Sequence, residues 1–292
     1  MFAILGVTGQ VGGHTTRALL AAGQPVRAVL RNPDKAAEWI AQGAQIAIAD
    51  LYDTQALQTA FTGVAGAFIV TPPLLDVADP VGENRLMLAA IITALRVAGV
   101  PKVVYLSSVG AQHDQGLGAI CKLHEMEQRF SQLPIPTAAI RAAWFMENGW
   151  GLIEPARQTG RVLSLLRPAD RSIPMVATAD VGQLAADTLL ESWAGPRVLE
   201  IAGPCTYSPD DVTACLSYLL DQPLRMVVVP VEEHINTYIG WGLSTTAATL
   251  MTDMIEGFNR GLIDFARVGT ESQLGRTFLE DALRQGVIAT AR

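Results

Sequence analysis

The sequence predicts an α/β fold, a doubly wound parallel sheet followed by a smaller, mostly helical lobe. Three observations predict it. Up to residue 203, short apolar runs alternate with longer stretches of helical period, the pattern of successive βαβ units. Those runs are apolar throughout rather than at every second position, as strands covered on both faces must be. Glycines also crowd the first connection, where "LGVTGQVGG" sets Gly6, Gly9, Gly12 and Gly13 between the first apolar run and the first helical one.

Taken in order, "FAIL", "PVRAVL", "AQIAIA", "AGAFIV", "KVVYLS", "IPTAAIR" and "RVLEIAG" read as strands rich in Val, Ile and Ala. Helices are expected over residues 10–22, 34–42, 54–61, 80–98, 119–132 and 179–193. Asp53-Thr54 supplies an N-cap for the third of these, and Gly99 with Pro101 ends the fourth. After Gly203-Pro204 the rhythm changes. Ser208 and Pro209 open a capped helix, "PLRMVVVP" is one strand, and the remainder reads mostly helical. The expected division is therefore 1–203 for the part that carries the sheet and the glycine turn and 204–292 for the small lobe, with residues 143–175 contributing to the lobe from loops above the sheet.

Composition narrows the class. The 292 residues are 50% hydrophobic and 17% charged, which is globular rather than disordered. A net charge of -7 and the absence of any Lys/Arg run argue against a nucleic-acid partner. Cys121, Cys205 and Cys215 lack CxxC spacing, so a reducing, cytoplasmic setting is expected. No uninterrupted apolar span of about 18 residues exists, and no membrane association is expected. His14, His113 and His234 have no partner at metal-ligand spacing, so no metal is expected. Without G-x-S-x-G at a strand-to-helix turn, a hydrolase is a poor fit.

The glycines have a chemical reading. Gly6 lets the chain turn sharply off the first strand, Gly9 lets backbone approach a bound diphosphate, and Gly12 lets the helix pack against the sheet. The helix N-terminus then offers free N–H groups and the positive end of its dipole. A Rossmann-type dinucleotide site is expected here rather than a merely structural turn, and Gly6, Thr8, Gly9, Gln10, Val11 and Gly12 are its expected phosphate contacts. An NAD-specific domain carries an acid at the end of the second strand. Arg31 stands there instead, with Lys35 beyond it, and a guanidinium can hold a 2′-phosphate bidentately. NADP(H) is expected over NAD(H). Asp50 and Leu51 at the third strand end would lie near the adenine, and Thr71 and Pro72 after the fourth near the nicotinamide ribose.

These stretches carry a resemblance. "GVTGQVGG", "RNPDKAA", "ADLYD" and "VTPP" after the first four strands, "VVYLSS" at the fifth and "AAWFMEN" after the sixth resemble the NmrA-like family of atypical short-chain dehydrogenase/reductases over nearly the whole chain. "FIVTPPLLDVADP" is also similar to its quinone-oxidoreductase-type members and to its fungal alkaloid-pathway reductases. The resemblance implies either an NADPH-dependent reductase of quinones, dyes or imines, or a non-catalytic NADP(H)-binding redox sensor that acts through a protein partner.

Tyr52, Tyr105, Tyr207, Tyr218 and Tyr238 all lack a Lys four residues on, so the Tyr-x-x-x-Lys pair that protonates a carbonyl oxygen is absent. Where the family often has Lys or His four residues before a Glu, this chain has Leu123 before Glu127. Lys122 remains as a catalytic or ribose-binding candidate, or as a solvated helix charge. Ser107 and Ser108 either bond the nicotinamide ribose or a substrate, or cap a loop. Trp144, Phe145 and Met146, joined by Trp150, either wall an acceptor site or pack between lobes. The expected ligand is a small apolar, conjugated molecule, and a homodimer is an assembly open to the chain.

Overall fold

The computed structural model describes residues 1–290. β1 (Phe2–Leu5) leads into α1 (Gln10–Ala21), followed by β2 (Val26–Leu30), α2 (Ala36–Ala41), β3 (Gln45–Ile48), α3 (Thr54–Phe61), β4 (Gly66–Ile69), α4 (Pro80–Ala98), β5 (Val103–Ser108), α5 (Cys121–Phe130) and β6 (Thr137–Ala142). The chain then leaves this layer through β7 (Trp144–Phe145), α6 (Trp150–Thr159), β8 (Arg161–Ser164) and β9 (Ile173–Val176), and returns with α7 (Thr178–Leu190) and β10 (Pro196–Ala202). β11 (Thr206–Tyr207), α8 (Pro209–Leu220), β12 (Arg225–Val228), α9 (His234–Gly240), α10 (Thr245–Asn259), β13 (Glu271–Leu274) and α11 (Leu279–Thr290) complete it.

The main sheet has eight strands in the order β13-β10-β6-β5-β4-β1-β2-β3, every pair parallel. Side chains alternate across the pleat, and each set finds its own helices. Phe2 and Ile4 pack with Leu19 of α1 and Val181 of α7, while Ala3 and Leu5 pack with Leu57 of α3 and Leu88 and Ile91 of α4. The expected doubly wound α/β class is the observed one. Strand order reverses at β1, which pairs with β2 on one side and β4 on the other. Such a switch point, at the carboxyl ends of the strands, is where open parallel sheets hold ligands.

Local chemistry fixes the helix ends. Asp53 accepts from Gln55 and Ala56 N–H at 3.0 Å, starting α3. Asp79 accepts from Gly82 N–H and Pro80 follows it, starting α4, which ends on Gly99 at φ 66°. Ser208 and Asp211 form a reciprocal capping box on α8. Each such cap contributes ~1 kcal/mol. The helix expected over 34–42 is split, because Pro33 opens a tight 3-10 turn through Lys35 ahead of α2.

The segment after Gly203 does not stay apart from the sheet. Glu271–Leu274 pair with Leu199–Ala202 of β10 and form an edge strand. Its sequence, "ESQL", is polar and largely exposed, so it lacks the apolar run by which an inner strand is read. The remaining strands make two small sheets, β11-β9-β7 and β12-β8. Around them Ile153, Leu216, Phe258 and Leu283 form a separate apolar core. Among the described residues no helix is long and apolar enough to cross a membrane.

Candidate functional site

The turn after β1 separates three reasons for glycine. Gly6 sits at φ 67°, and a Cβ there would lie 2.3 Å from Val70 Cγ1. A Cβ on Gly12 would lie 2.3 Å from Gly6 O and 2.8 Å from Leu5 O. These two are demanded by the turn and by the closeness of α1 to the sheet. Gly9 is different: a Cβ would meet only Gly6 O, at an ordinary 3.4 Å. Nothing inside the protein requires glycine there, and the bare surface faces outward.

Gly9 is also the N-cap of α1 and makes no side-chain capping bond, so the first-turn N–H groups have no partner within the helix. Thr8, Gly9 and Gln10 are exposed, whereas the Val11 side chain is buried in the core and offers only its N–H. An uncapped N-terminus beside a side-chain-free backbone fits a diphosphate. His14 turns away from it. Its Cβ lies against Gly182 of α7, and burial pushes its pKa down.

The other strand ends frame the same edge. Arg31 and Lys35 are both exposed and enter no salt bridge among the described residues, while Asn32 between them caps the following turn by accepting from Asp34 N–H. Asp50 accepts from Tyr52 N–H at 3.0 Å. Leu51 packs on the α3/α4 side of the core. Thr71 is half-buried and Pro72 exposed in the loop after β4. That loop is tied at two points: Ser244 N–H donates to Leu75 O at 2.8 Å, and Lys122 Nζ donates to Pro73 O. Lys122 is therefore no solvated helix charge. It is 7% exposed, and burial lowers its pKa.

A buried charge cluster escaped the sequence reading. Ser107 Oγ donates to Glu127 Oε1 at 2.5 Å, and Arg141 donates to both oxygens of Glu127. The opposite side of Arg141 lies 3.6 Å from Glu200 Oε1, and Glu200 accepts from Ala266 N–H, Arg267 N–H and Thr270 Oγ1. The available signal was Arg141, the lone charge in "TAAIRA", and Glu200 in the apolar part of "PRVLEIA". Charges buried in a sheet are expected to be paired.

Beyond the ends of β5 and β6 lies a cavity of about 390 Å³. Leu106, Ser107, Ser108, Leu123, Trp144, Phe145, Met146, Met175, Tyr238, Trp241, Met251, Met254 and Phe258 are among its lining residues. Among the described residues no Asp, Glu, Lys, Arg or His lines it. Trp144 stands edge-on to Phe258 at 5.4 Å. Leu123, at the position before Glu127 where a proton donor would stand, presents an apolar wall.

Trp150 does not join this wall. Its indole N–H donates to Ala282 O at 2.9 Å, and its ring packs where a Cβ on Gly286 would be, so it anchors α6 to α11. Glu147, in the same segment, caps α7 by accepting from Thr178 N–H and Oγ1. The "WFMEN" segment thus divides its work. Trp144, Phe145 and Met146 face the cavity while Glu147 pins them to the main fold.

Comparison with known proteins gives one family. The NmrA-like family model matches residues 1–274. An NAD(P)H azoreductase of Xenophilus azovorans is 27% identical over 254 residues, 87% of this chain and 86% of its own. Quinone oxidoreductase 2 of Escherichia coli is 27% identical over 263 residues, 89% of each. Among solved structures, an E. coli NADPH-dependent quinone oxidoreductase complexed with NADPH superposes with TM-score 0.81 at 24% identity, over 98% of this chain and 99% of that one. A triphenylmethane reductase of Citrobacter sp. superposes at 0.79 and 21%, with the same coverage.

Proposed function

The chain belongs to the NmrA-like family, and on that premise we propose that it is an NADPH-dependent reductase of small, uncharged, conjugated acceptors of the quinone, azo or imine type. The observation that carries this is the cavity beyond β5 and β6, walled by aromatic and Met side chains and free of ionisable Asp, Glu, Lys, Arg and His. It opens at the same sheet edge as the Gly6–Gly12 turn, with β4 between β5 and β1. An azoreductase and a quinone oxidoreductase among the relatives support the reading.

In this reading Gly6, Thr8, Gly9, Gln10, Val11 and Gly12 hold the diphosphate, Gly9 by its bare surface and Gln10, Val11 and Gly12 by their free first-turn N–H groups, and Arg31 with Lys35 takes the 2′-phosphate. Asp50 and Leu51 border the adenine, while Thr71, Pro72, Ser107 and Lys122 border the nicotinamide ribose. The bound cofactor supplies hydride. The protein supplies orientation and a dry wall, through Trp144, Phe145 and Met146. With Leu123 on the wall and no Tyr-x-x-x-Lys pair, the proton that completes a hydroquinone or hydrazo product comes from water at the cavity mouth. Acceptors that take hydride before any proton are favoured, and simple ketones are not. We further assign residues 1–203 to cofactor binding and 204–292, with part of 143–175, to closing over the acceptor.

The test is NADPH oxidation over a panel of quinones, azo dyes and imines, run beside affinity titrations of NADPH and NADP. Turnover with one of these classes, and greater efficiency with NADPH than NADH, is the expected result. Tight binding of both nucleotides with no turnover across the panel would replace this reading with that of a redox-responsive regulator.

A further inference from the structure

Four hydroxyl groups line the cavity, beside the side-chain N–H groups of Asn148, Trp144 and Trp241, and three of the four are committed. Ser107 gives its proton to Glu127, Ser108 gives its own to Val109 O at 3.0 Å, and Ser164 to Leu166 O at 3.0 Å. A serine hydroxyl has one proton, so toward the cavity these three side chains offer lone pairs only.

Tyr238 is the exception. It lines the cavity, is 6% exposed, and its hydroxyl makes no hydrogen bond among the described residues. Nor is its oxygen one of the sealed, unpartnered polar atoms, which are Gln112 Oε1, His234 Nδ1 and Thr252 Oγ1. A phenol that is neither bonded nor sealed faces open space. Its ring stands edge-on to Trp241 at 5.5 Å, and the hydroxyl proton is free to rotate toward a ligand lone pair. Burial alone raises its pKa, with no cation to oppose the shift, so the phenol keeps its proton and donates a hydrogen bond without transferring it.

We propose that Tyr238 is the hydrogen-bond donor that selects and orients the acceptor, so that the cavity takes flat neutral molecules bearing a carbonyl, azo or imine lone pair in preference to hydrocarbons of the same shape. The proposal rests on the cavity being the acceptor site. It makes Tyr238 a specificity-determining residue in the C-terminal lobe, far in sequence from the cofactor turn. An unpartnered phenol in an apolar wall loses its hydration on closure, and a ligand lone pair restores the lost bond.

Calorimetric titration of the NADP-loaded protein compares menadione, a methylated naphthoquinone, with methylnaphthalene, its parent hydrocarbon. Tyr238→Phe is expected to weaken menadione about tenfold and to leave methylnaphthalene unchanged, the scale of one neutral hydrogen bond. Because the hydroxyl has no protein partner, the melting temperature of Tyr238→Phe stays that of the wild type, so a binding loss is not a folding loss. Equal effects on both ligands, no effect on menadione, or a menadione-selective loss in Trp241→Phe instead, would each overturn the assignment. Wild-type protein that binds neither ligand would remove the acceptor-site reading itself, and the assignment with it.

Discussion

Glu127 on α5 and Arg141 on β6 form a two-pronged pair, Nε to Oε1 at 2.9 Å and a terminal nitrogen to Oε2 at 2.6 Å. Both side chains are nearly enclosed, at 11% and 8% exposure. Together they hold Ser107 in one orientation at the cavity wall, which couples a structural pair to the cavity. Removing one partner strands the other in a medium that solvates it poorly. Glu127→Gln is therefore expected to destabilise the fold by about 3–5 kcal/mol, measured by denaturant unfolding. A loss under ~1 kcal/mol would show the pair to be solvated in practice.

Gly9 and Gly12 should fail in opposite ways. Gly9→Val puts a side chain where the protein has none, and should abolish dinucleotide binding while changing unfolding free energy by less than ~1 kcal/mol. Gly12→Val drives a Cβ into Gly6 O and Leu5 O, and should cost ~3 kcal/mol or more of stability. Unfolding curves and nucleotide titrations on both variants separate the two roles. Unchanged affinity in Gly9→Val would move the diphosphate elsewhere.

In the proposed reading Arg31 carries the choice of nucleotide. Arg31→Asp replaces a charge-assisted donor by a like charge, and should weaken NADPH by about 10–100-fold while NADH changes by less than about threefold. Fluorescence titration with each nucleotide reads the difference. Equal losses for both would withdraw the 2′-phosphate assignment.

Lys122 should leave a signature in the pH dependence of stability. Its folded pKa lies below the unfolded value of 10.5 because burial disfavours the charged form. The unfolded chain then binds more protons between the two values, so stability from this group rises with pH through that alkaline window and is lowest below it. Lys122→Met should remove this component, seen as a flatter curve of unfolding free energy against pH than the wild type shows. Parallel curves would mean that Lys122 titrates normally.

Much of this was legible from the chain. The uniformly apolar runs located the inner strands of the main sheet, and Asp53, Gly99 and Ser208 marked helix ends where the structure has them. The reasons for Gly6 and Gly12 could be read from spacing, because a turn and a close helix approach are local demands. What stayed hidden was non-local. β13 has no apolar run of its own, and only its register with β10 makes it a strand. Lys122 and Leu123 are neighbours on one helix, yet one ties down the Pro73 loop and the other lines the cavity.

The sequence by itself determined the layered sheet and the tight glycine turn after its first strand, since each follows from periodicity and from what glycine allows within a few residues. Tertiary structure alone decided the rest. It turned Trp150 toward α11 rather than the cavity, enclosed Arg141 between two carboxylates, and left the Tyr238 hydroxyl as the free one on the cavity wall. The physical reason is that a hydrogen bond or a buried charge depends on which distant group arrives beside it, and residue type fixes only what a side chain can do once it is there.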